Sequence, residues 1–438
     1  MEPSSMEPSS IQYAAYVGLD WADREHAWCL QTPDHMSRDS GFVAQTPEAI
    51  EAWAAALAQR FQGRPVAVAL EQSRGALLFA LTKYAHLILY PINPARLAHY
   101  RKSFRPSGAK DDPSDAELLL NYLCNHRDQL RPLQPDTEDT RALQFLVEAR
   151  RRTVDDKTRF KNRLTAVLKQ YYPQILDWFA DVDSAVVLDL LERWPTLGDL
   201  QRAHRPTFDH FLKQHRCGGF EKAEQRWQQI QSAIPATKDL AVLRSFSLTA
   251  KCLVRLLREM RRAVGVYDKT IDDLAKKHPD FDLFPSFPGA GDALVPRLIA
   301  AFGSQRDRWT NASELQCYTG IAPVRETSGR QRWVHVRWAC PKFVRQTFHE
   351  WALHSLKKWG WASENYKTQL DRGKSRHAAI RAVAFKWLRI AFRCWTNRSH
   401  YDSDLYLQSR SIHGSCATGL EIQWKTCGSF SKLAAVRY

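Results

Sequence analysis

Between Tyr13 and about Leu130 the apolar positions change period several times. AAYVGLDWA is a short apolar run that ends on an acid, and EHAWCLQTP and SRDSGFVAQ follow it at hairpin spacing. PEAIEAWAAALAQRF then places apolar residues in steps of three and four, at Ile50, Trp53, Leu57 and Phe61, behind a capping residue, Thr46; this is a helix. PVAVALEQ is almost continuously apolar, as expected of a strand covered on both faces. A second helix begins near Gly75, and LILYPINP reads as the next strand. Three strands, a helix, a strand, a helix, a strand and then helices predict an α/β layer built on a mixed sheet.

From Glu138 to Pro279 the pattern is helical. Leu253, Leu257, Met260, Val264, Tyr267, Ile271 and Leu274 advance by threes and fours, a coiled-coil seam. Arg141 to Tyr171 carries a weaker seam (Leu143, Val147, Val154, Leu164, Leu168) and a dense basic face of Arg150, Arg151, Arg152, Lys157, Arg159, Lys161 and Arg163. The expectation is an antiparallel helical pair that also mediates self-association, with its basic face either solvated or turned to a polyanion. PSFPGAG at 285–291 interrupts the helix, and a compact helical region follows to about Arg398. The expected division is a disordered extension at 1–12, an α/β domain at 13–135, a helical coiled-coil oligomerisation region at 136–282, a helical domain at 283–398 and a flexible tail at 399–438.

Charge sharpens this picture. Residues 1–130 hold 12 basic and 15 acidic side chains, whereas 131–438 hold 51 basic and 32 acidic, so a near-neutral first domain precedes a strongly basic remainder. A surface of that sign fits a nucleic-acid partner. Nine cysteines without a CxxC pair predict reduced thiols in a cytosol, not a disulfide framework or a zinc ribbon. No uncharged apolar run reaches the roughly 18–20 residues of a membrane span, and MEPSSMEPSS has neither the basic start nor the apolar core of a signal peptide. The expected setting is the cytoplasm, associated with the nucleoid, without a membrane.

The strand and helix order of the first domain is that of the RNase H-like fold. On such a sheet Asp20, ending the first strand, and Glu71, ending the fourth, stand side by side. Asp112 and Asp115 share one face of a later helix at i, i+3; Asp111 and Asp115, at i, i+4, are an alternative pairing. Each acid taken alone reads as a turn or capping residue. Together they would repel strongly without cations. Mg²⁺ suits such oxygen donors, and two ions about 3.5–4 Å apart, with Mn²⁺ able to substitute, activate and stabilise oxygens at a phosphodiester.

VGLDWA at 17–22, VALEQSRG at 68–75, AKDDPSDAELL at 109–119, and FPGAGDALVPRLIAAFGS with CYTGIAPVRETSG within 287–329 together resemble the IS110-type insertion-sequence transposases, the DEDD recombinases. The family's third motif is matched by Lys110, Asp112, Asp115 and Ala116, which favours Asp112 over Asp111. The resemblance covers roughly residues 13–395. It implies a RuvC-like nuclease domain joined through a coiled coil to a transposase domain with a nucleophilic serine, Ser328 here, that links covalently to DNA. It also implies donor and target DNA as substrates and a structured non-coding RNA that pairs with both. Members form homo-oligomers, a dimer or tetramer, in which one subunit's acidic site meets another's serine.

Read chemically, Ser328 lies in a Gly-flanked loop among Arg325, Arg330 and Arg332, cations suited to a phosphate. FPGAG opening a helix, with Gly289 and Gly291, suits a helix-hairpin-helix-like grip on a nucleic-acid backbone, or simply a helix start. Downstream, Arg337, Lys342, Arg345, Lys357 and Lys358 interleave with aromatics, a nucleic-acid face. No GxxxxGK[ST] is present, HEWALH spaces its histidines i, i+5 and so fails as a zinc helix, and His413, Cys416 and Cys427 lack a fourth ligand. The reading is therefore a Mg²⁺-dependent, RNA-guided DNA recombinase. A RuvC-like junction nuclease and a non-catalytic nucleic-acid-binding protein are the alternatives.

Overall fold

The computed structural model describes residues 11–71, 75–104, 112–217, 220–357 and 360–404. The extension before residue 11, Lys110 and Asp111, Lys358, and His413, Cys416 and Cys427 in the tail lie outside the described residues. Packing divides the chain into two compact units, Met1–Pro135 and Asp136–Tyr438.

In the first unit a five-stranded sheet forms from β1 (Ala15–Asp20), β2 (Glu25–Gln31), β3 (Arg38–Ala44), β4 (Val66–Leu70) and β5 (Leu87–Pro91), in the order β3-β2-β1-β4-β5. β1, β2 and β3 are an antiparallel meander, while β4 runs parallel to β1 and β5 parallel to β4. Parallel neighbours require crossovers. α1 (Pro47–Arg60) and α2 (Ala76–Leu81) supply them, and α3 (Pro94–Phe104) and α4 (Asp112–His126) follow. Thr46 caps α1 as expected, its hydroxyl accepting the Ala49 N–H at 3.3 Å. The mixed five-stranded sheet is consistent with an RNase H-like fold.

Alternation along the strands decides what each face carries. Val17, Leu19, Val66, Val68 and Leu70 pack with Ile50, Ala54, Leu57, Leu77, Leu78 and Leu81 of α1 and α2. The intervening residues are small: Ala67 and Ala69 meet Leu119, Tyr122 and Leu123 of α4, and Ala27 and Cys29 meet Ala116 and Leu120. Small side chains let α4 lie very close to the sheet. At Gly18 the approach leaves no room for any side chain, because a Cβ there would stand 2.0 Å from the Ala116 carbonyl oxygen and 2.4 Å from the Leu120 nitrogen.

The second unit is built on two long helices, α5 (Glu138–Tyr171) and, after the short helices α6 (Gln174–Trp178), α7 (Ala185–Arg193), α8 (Leu197–Gln201), α9 (Arg205–Gln214) and α10 (Phe220–Ser232), α11 (Leu240–Lys277). The two are antiparallel. Leu164 and Leu168 share a core with Leu253 and Leu257, and Leu143 and Val147 share another with Ile271 and Ala275. Between those cores the seam thins: Val154, Met260, Val264 and Tyr267 are only half-buried.

The second core is continuous with the C-terminal region. Residues 283–398 therefore close no core separate from the end of the helical pair. That region holds α12 (Val295–Phe302), α13 (Ala312–Tyr318), strands β6 (Val324–Ser328) and β7 (Gln331–His335), α14 (Lys342–Ser355), α15 (Gly360–Asp371) and α16 (Arg376–Asn397). The expected all-helical domain thus contains a two-stranded ribbon. Its two-residue turn, Gly329–Arg330, has the left-handed φ of +56° at its first position that glycine accommodates.

Candidate functional site

Two of the four expected carboxylates are carried by the sheet. Leu19 pairs with Leu70, so Asp20 and Glu71 stand at adjacent positions along the same edge. By strand alternation both belong to the face that Gly18, Ala67 and Ala69 open to α4. The helix runs antiparallel to β1. Its early residue Ala116 sits on Gly18, and just past its end Arg127 donates to the Tyr16 hydroxyl at 3.0 Å. The first turn of α4, with Asp112 and Asp115, therefore lies toward the Asp20 end of the strand. Asp20 is 6 % exposed and Asp115 1 %, while Glu71 is half-buried. The side chain of Asp112 lies outside the described residues. Among the described residues no group of three His, Cys, Asp or Glu side chains is gathered closely enough to hold an ion.

The chain itself supplies one cation to these acids. Arg101 on α3 reaches Asp115 Oδ1 with both Nε (3.0 Å) and Nη2 (2.8 Å). The amino end of α4 adds a favourable dipole. Nothing in the spacing of Arg101 and Asp115, 14 residues apart on different helices, announces this pair. His26 was also missed. It is fully buried, accepts the Ala22 N–H at 3.2 Å on Nδ1 and bonds Gln45 through Nε2, so it holds the turn that follows Asp20. Burial pushes its pKa down against the opposing effect of the Gln45 bond. The donors at this edge are carboxylate oxygens, two of them deeply buried, and their chemistry fits a hard divalent cation.

Ser328 ends β6 and is exposed. The ribbon register corrects one expectation about its surroundings. Ser328 pairs with Gln331, Glu326 with Trp333 and Val324 with His335, so these six side chains occupy one face. Arg325 and Arg332, paired with Val334 and Thr327, occupy the other, because neighbours along a strand point oppositely. Of the three arginines expected around the serine, Arg330 at the turn is the one adjacent to it without being on the reverse face. The ribbon's base is pinned. Gly320 takes φ +70°, with Cys340 Sγ 2.2 Å from where its Cβ would be. Arg337 Nε donates to the Ala322 carbonyl at 3.3 Å, and Arg345 donates to the Arg337 carbonyl at 3.1 Å.

FPGAG has a packing explanation. A Cβ at Gly289 would lie 2.6 Å from the Ser355 nitrogen, and Trp351 Nε1 donates to the Pro288 carbonyl at 3.1 Å, so this segment is fitted against α14. Gly291 faces open space. The basic face of α5 is less bare than its composition suggests. Arg150 pairs with Asp268, Arg151 with Asp155 (3.0 Å) and Glu350 (3.8 Å), Lys157 with Asp183 (2.7 Å) and Lys161 with Asp181 (2.5 Å). Arg152, 3.9 Å from Glu148, remains largely exposed, as does Lys342. Asp155 and Glu148 lie on α5 itself, but Asp181, Asp183, Asp268 and Glu350 come from elsewhere in the chain, so a count along α5 could not reveal them.

Comparison with known proteins bears on both regions. A transposase model of the IS110 DEDD type matches residues 17–173, spanning the carboxylate edge. A second, the transposase IS116/IS110/IS902 family, matches 282–367, spanning the serine ribbon. The mini-circle protein for IS117 of Streptomyces coelicolor is 27% identical over 394 residues, covering 88% of this chain and 95% of its own. Insertion element proteins are similar over less of their length: the IS900 42 kDa protein of Mycobacterium paratuberculosis (26% identical, 72% of this chain, 78% of its own) and the IS110 43.6 kDa protein of Streptomyces coelicolor (24%, 68% and 73%). With both family models matched in order, one on each of the regions that carry candidate chemistry, the chain belongs to the IS110-type transposases.

Proposed function

We propose that this transposase cuts and rejoins DNA with two separate chemical centres, a RuvC-like divalent-ion site and a serine nucleophile. Asp20, Glu71, Asp112 and Asp115 are the residues that would hold Mg²⁺, or Mn²⁺ in its place. The support is the contact of Gly18 with Ala116, which brings α4 down onto the strand edge where Asp20 ends. Bound there, the ions would supply positive charge to phosphodiester oxygens during strand cleavage.

At the second centre Ser328 Oγ attacks a phosphodiester phosphorus. The Oγ–P bond forms, the P–O bond to the departing strand breaks, and the proton lost by serine ends on the departing hydroxyl. A free hydroxyl of another DNA end then attacks the seryl phosphodiester, joining the strands and returning serine to its protonated form. The exposure of Ser328 at the tip of a ribbon pinned at its base supports this role. A structured non-coding RNA from the element is the proposed guide to donor and target. Self-association is supported by apolar side chains that α11 leaves exposed, Leu240, Leu248, Leu256 and Val266.

The deciding experiment incubates the full chain with its element's DNA ends, the flanking non-coding RNA and Mg²⁺, then separates products under denaturing conditions. A protein–DNA adduct lost in Ser328→Ala supports the reading. Cleavage without any adduct indicates a water-using junction nuclease instead. Asp20→Ala should keep the wild-type fold and lose strand exchange, and retained exchange removes Asp20 from the mechanism.

A further inference from the structure

The β6–β7 ribbon is a single layer whose ten residues are all exposed except Val324, which is half-buried. A two-stranded ribbon without a covered face is marginal by itself, and this one carries a large aromatic side chain. Trp333 is 38 % exposed, and no hydrophobic cluster among the described residues includes it. It lies on the Ser328 face, diagonally across the ribbon from the serine, because Ser328 pairs with Gln331 and Glu326 with Trp333. The carboxylate on that face is occupied: Glu326 Oε2 lies 3.3 Å from His335 Nε2, toward the base of the ribbon and away from Ser328. Arg330 stands at the turn, and Arg325 and Arg332 cover the reverse face. By contrast, Trp338, outside the ribbon, already has the Arg345 guanidinium over its ring at 5.5 Å.

We propose that the Trp333 ring stacks on an unpaired DNA base next to the phosphodiester presented to Ser328, with Arg330 at the turn and Arg325 and Arg332 behind the ribbon drawing in the flanking phosphates. A partly exposed aromatic ring on a ribbon that carries guanidinium groups at its turn and on its other face matches the chemistry of a single strand, whose bases present faces for stacking and whose backbone is anionic. A duplex hides its base faces in its own stack. The ribbon thus takes an opened strand, and the pinned base at Gly320, Arg337 and Cys340 fixes where that strand meets the serine. The inference rests on the reading of Ser328 as nucleophile, and its test is independent of covalent chemistry.

Fluorescence anisotropy of the full chain is measured with labelled single-stranded DNA, the same sequence as duplex DNA and the same sequence as single-stranded RNA. Trp333→Ala is expected to weaken single-stranded DNA binding about tenfold, with duplex binding unchanged. Trp333→Phe, which keeps a ring, should retain most of the affinity, and Ser328→Ala should bind like wild type. Wild-type single-strand affinity in Trp333→Ala, an equal loss on duplex, or a loss confined to RNA each overturns the proposal. If wild type yields no adduct while Trp333→Ala still loses single-stranded DNA, the stacking surface stands and the nucleophile assignment falls.

Discussion

A β-carbon on Gly18 would stand 2.0 Å from the carbonyl oxygen of Ala116, so strand β1 and helix α4 meet backbone to backbone. Neither partner can move aside as a side chain could. Gly18→Ala is expected to lower the stability of the first unit by about 3 kcal/mol, the upper range for forced overpacking. Chemical denaturation followed by circular dichroism measures this, and a loss under about 1 kcal/mol would mean that α4 sits further from the strand than described.

Arg101 and Asp115 make the second prediction. Asp115 is 1 % exposed, and its partner's side chain is itself largely covered. Arg101→Ala leaves a buried carboxylate without its guanidinium, a change that costs about 3 kcal/mol or more in buried pairs. Urea midpoints in EDTA should show this loss. Added Mg²⁺ should restore part of it if a divalent ion can take up the charge of Asp115. Equal midpoints with and without Mg²⁺ would argue against an ion at that carboxylate.

Gly320 makes the third. Its φ of +70° and the Cys340 sulfur 2.2 Å from the position of its absent Cβ forbid a side chain at the root of the ribbon. Gly320→Ala should reduce adduct formation at Ser328 at least tenfold while shifting the melting temperature of the whole chain by only a few degrees, about 1–2 kcal/mol of local strain. A variant that melts early and keeps its adduct yield would show that the ribbon root does not position the serine.

The fourth concerns pH. His278 is buried, its Nδ1 accepts the Asp280 N–H at 3.1 Å, and its Nε2 therefore donates to Thr140 Oγ1 at 2.9 Å. Burial holds its pKa below the ordinary 6.5, ahead of the opposing pull of Asp280. The unfolded chain consequently binds a proton that the folded chain resists, so stability rises with pH across the window below about 6.5 and is lost as pH falls through it. Denaturation midpoints between pH 5 and pH 7 should slope upward, and His278→Gln should flatten the slope. An unchanged slope in the variant would assign it to other groups.

The carboxylate edge was legible because its parts obey short-range rules. The continuous VAVAL run, the acid after YVGL and the i, i+3 spacing of Asp112 and Asp115 each follow from strand or helix periodicity, and β1, β4 and α4 formed where those periods lie. The antiparallel pairing of α5 and α11 was legible for the same reason. The ribbon was not. Ten residues of mixed polar, aromatic and cationic character lack the alternation of a half-buried strand, because neither of its faces is buried.

Periodicity, charge and motif order along the chain determined most of the strands and helices, that Asp20 and Glu71 end neighbouring strands, and which transposase family the chain resembles. The tertiary structure alone decided that Arg101 neutralises Asp115, that Asp181, Asp183 and Asp268 occupy cations on α5, and that Arg325 and Arg332 lie behind the ribbon face bearing Ser328. The reason is reach. Local patterns record which way a residue points within its own element, whereas these ion pairs join residues 14 to 118 apart whose approach is set by packing, and the two faces of the ribbon follow from a strand pairing that no local period announced.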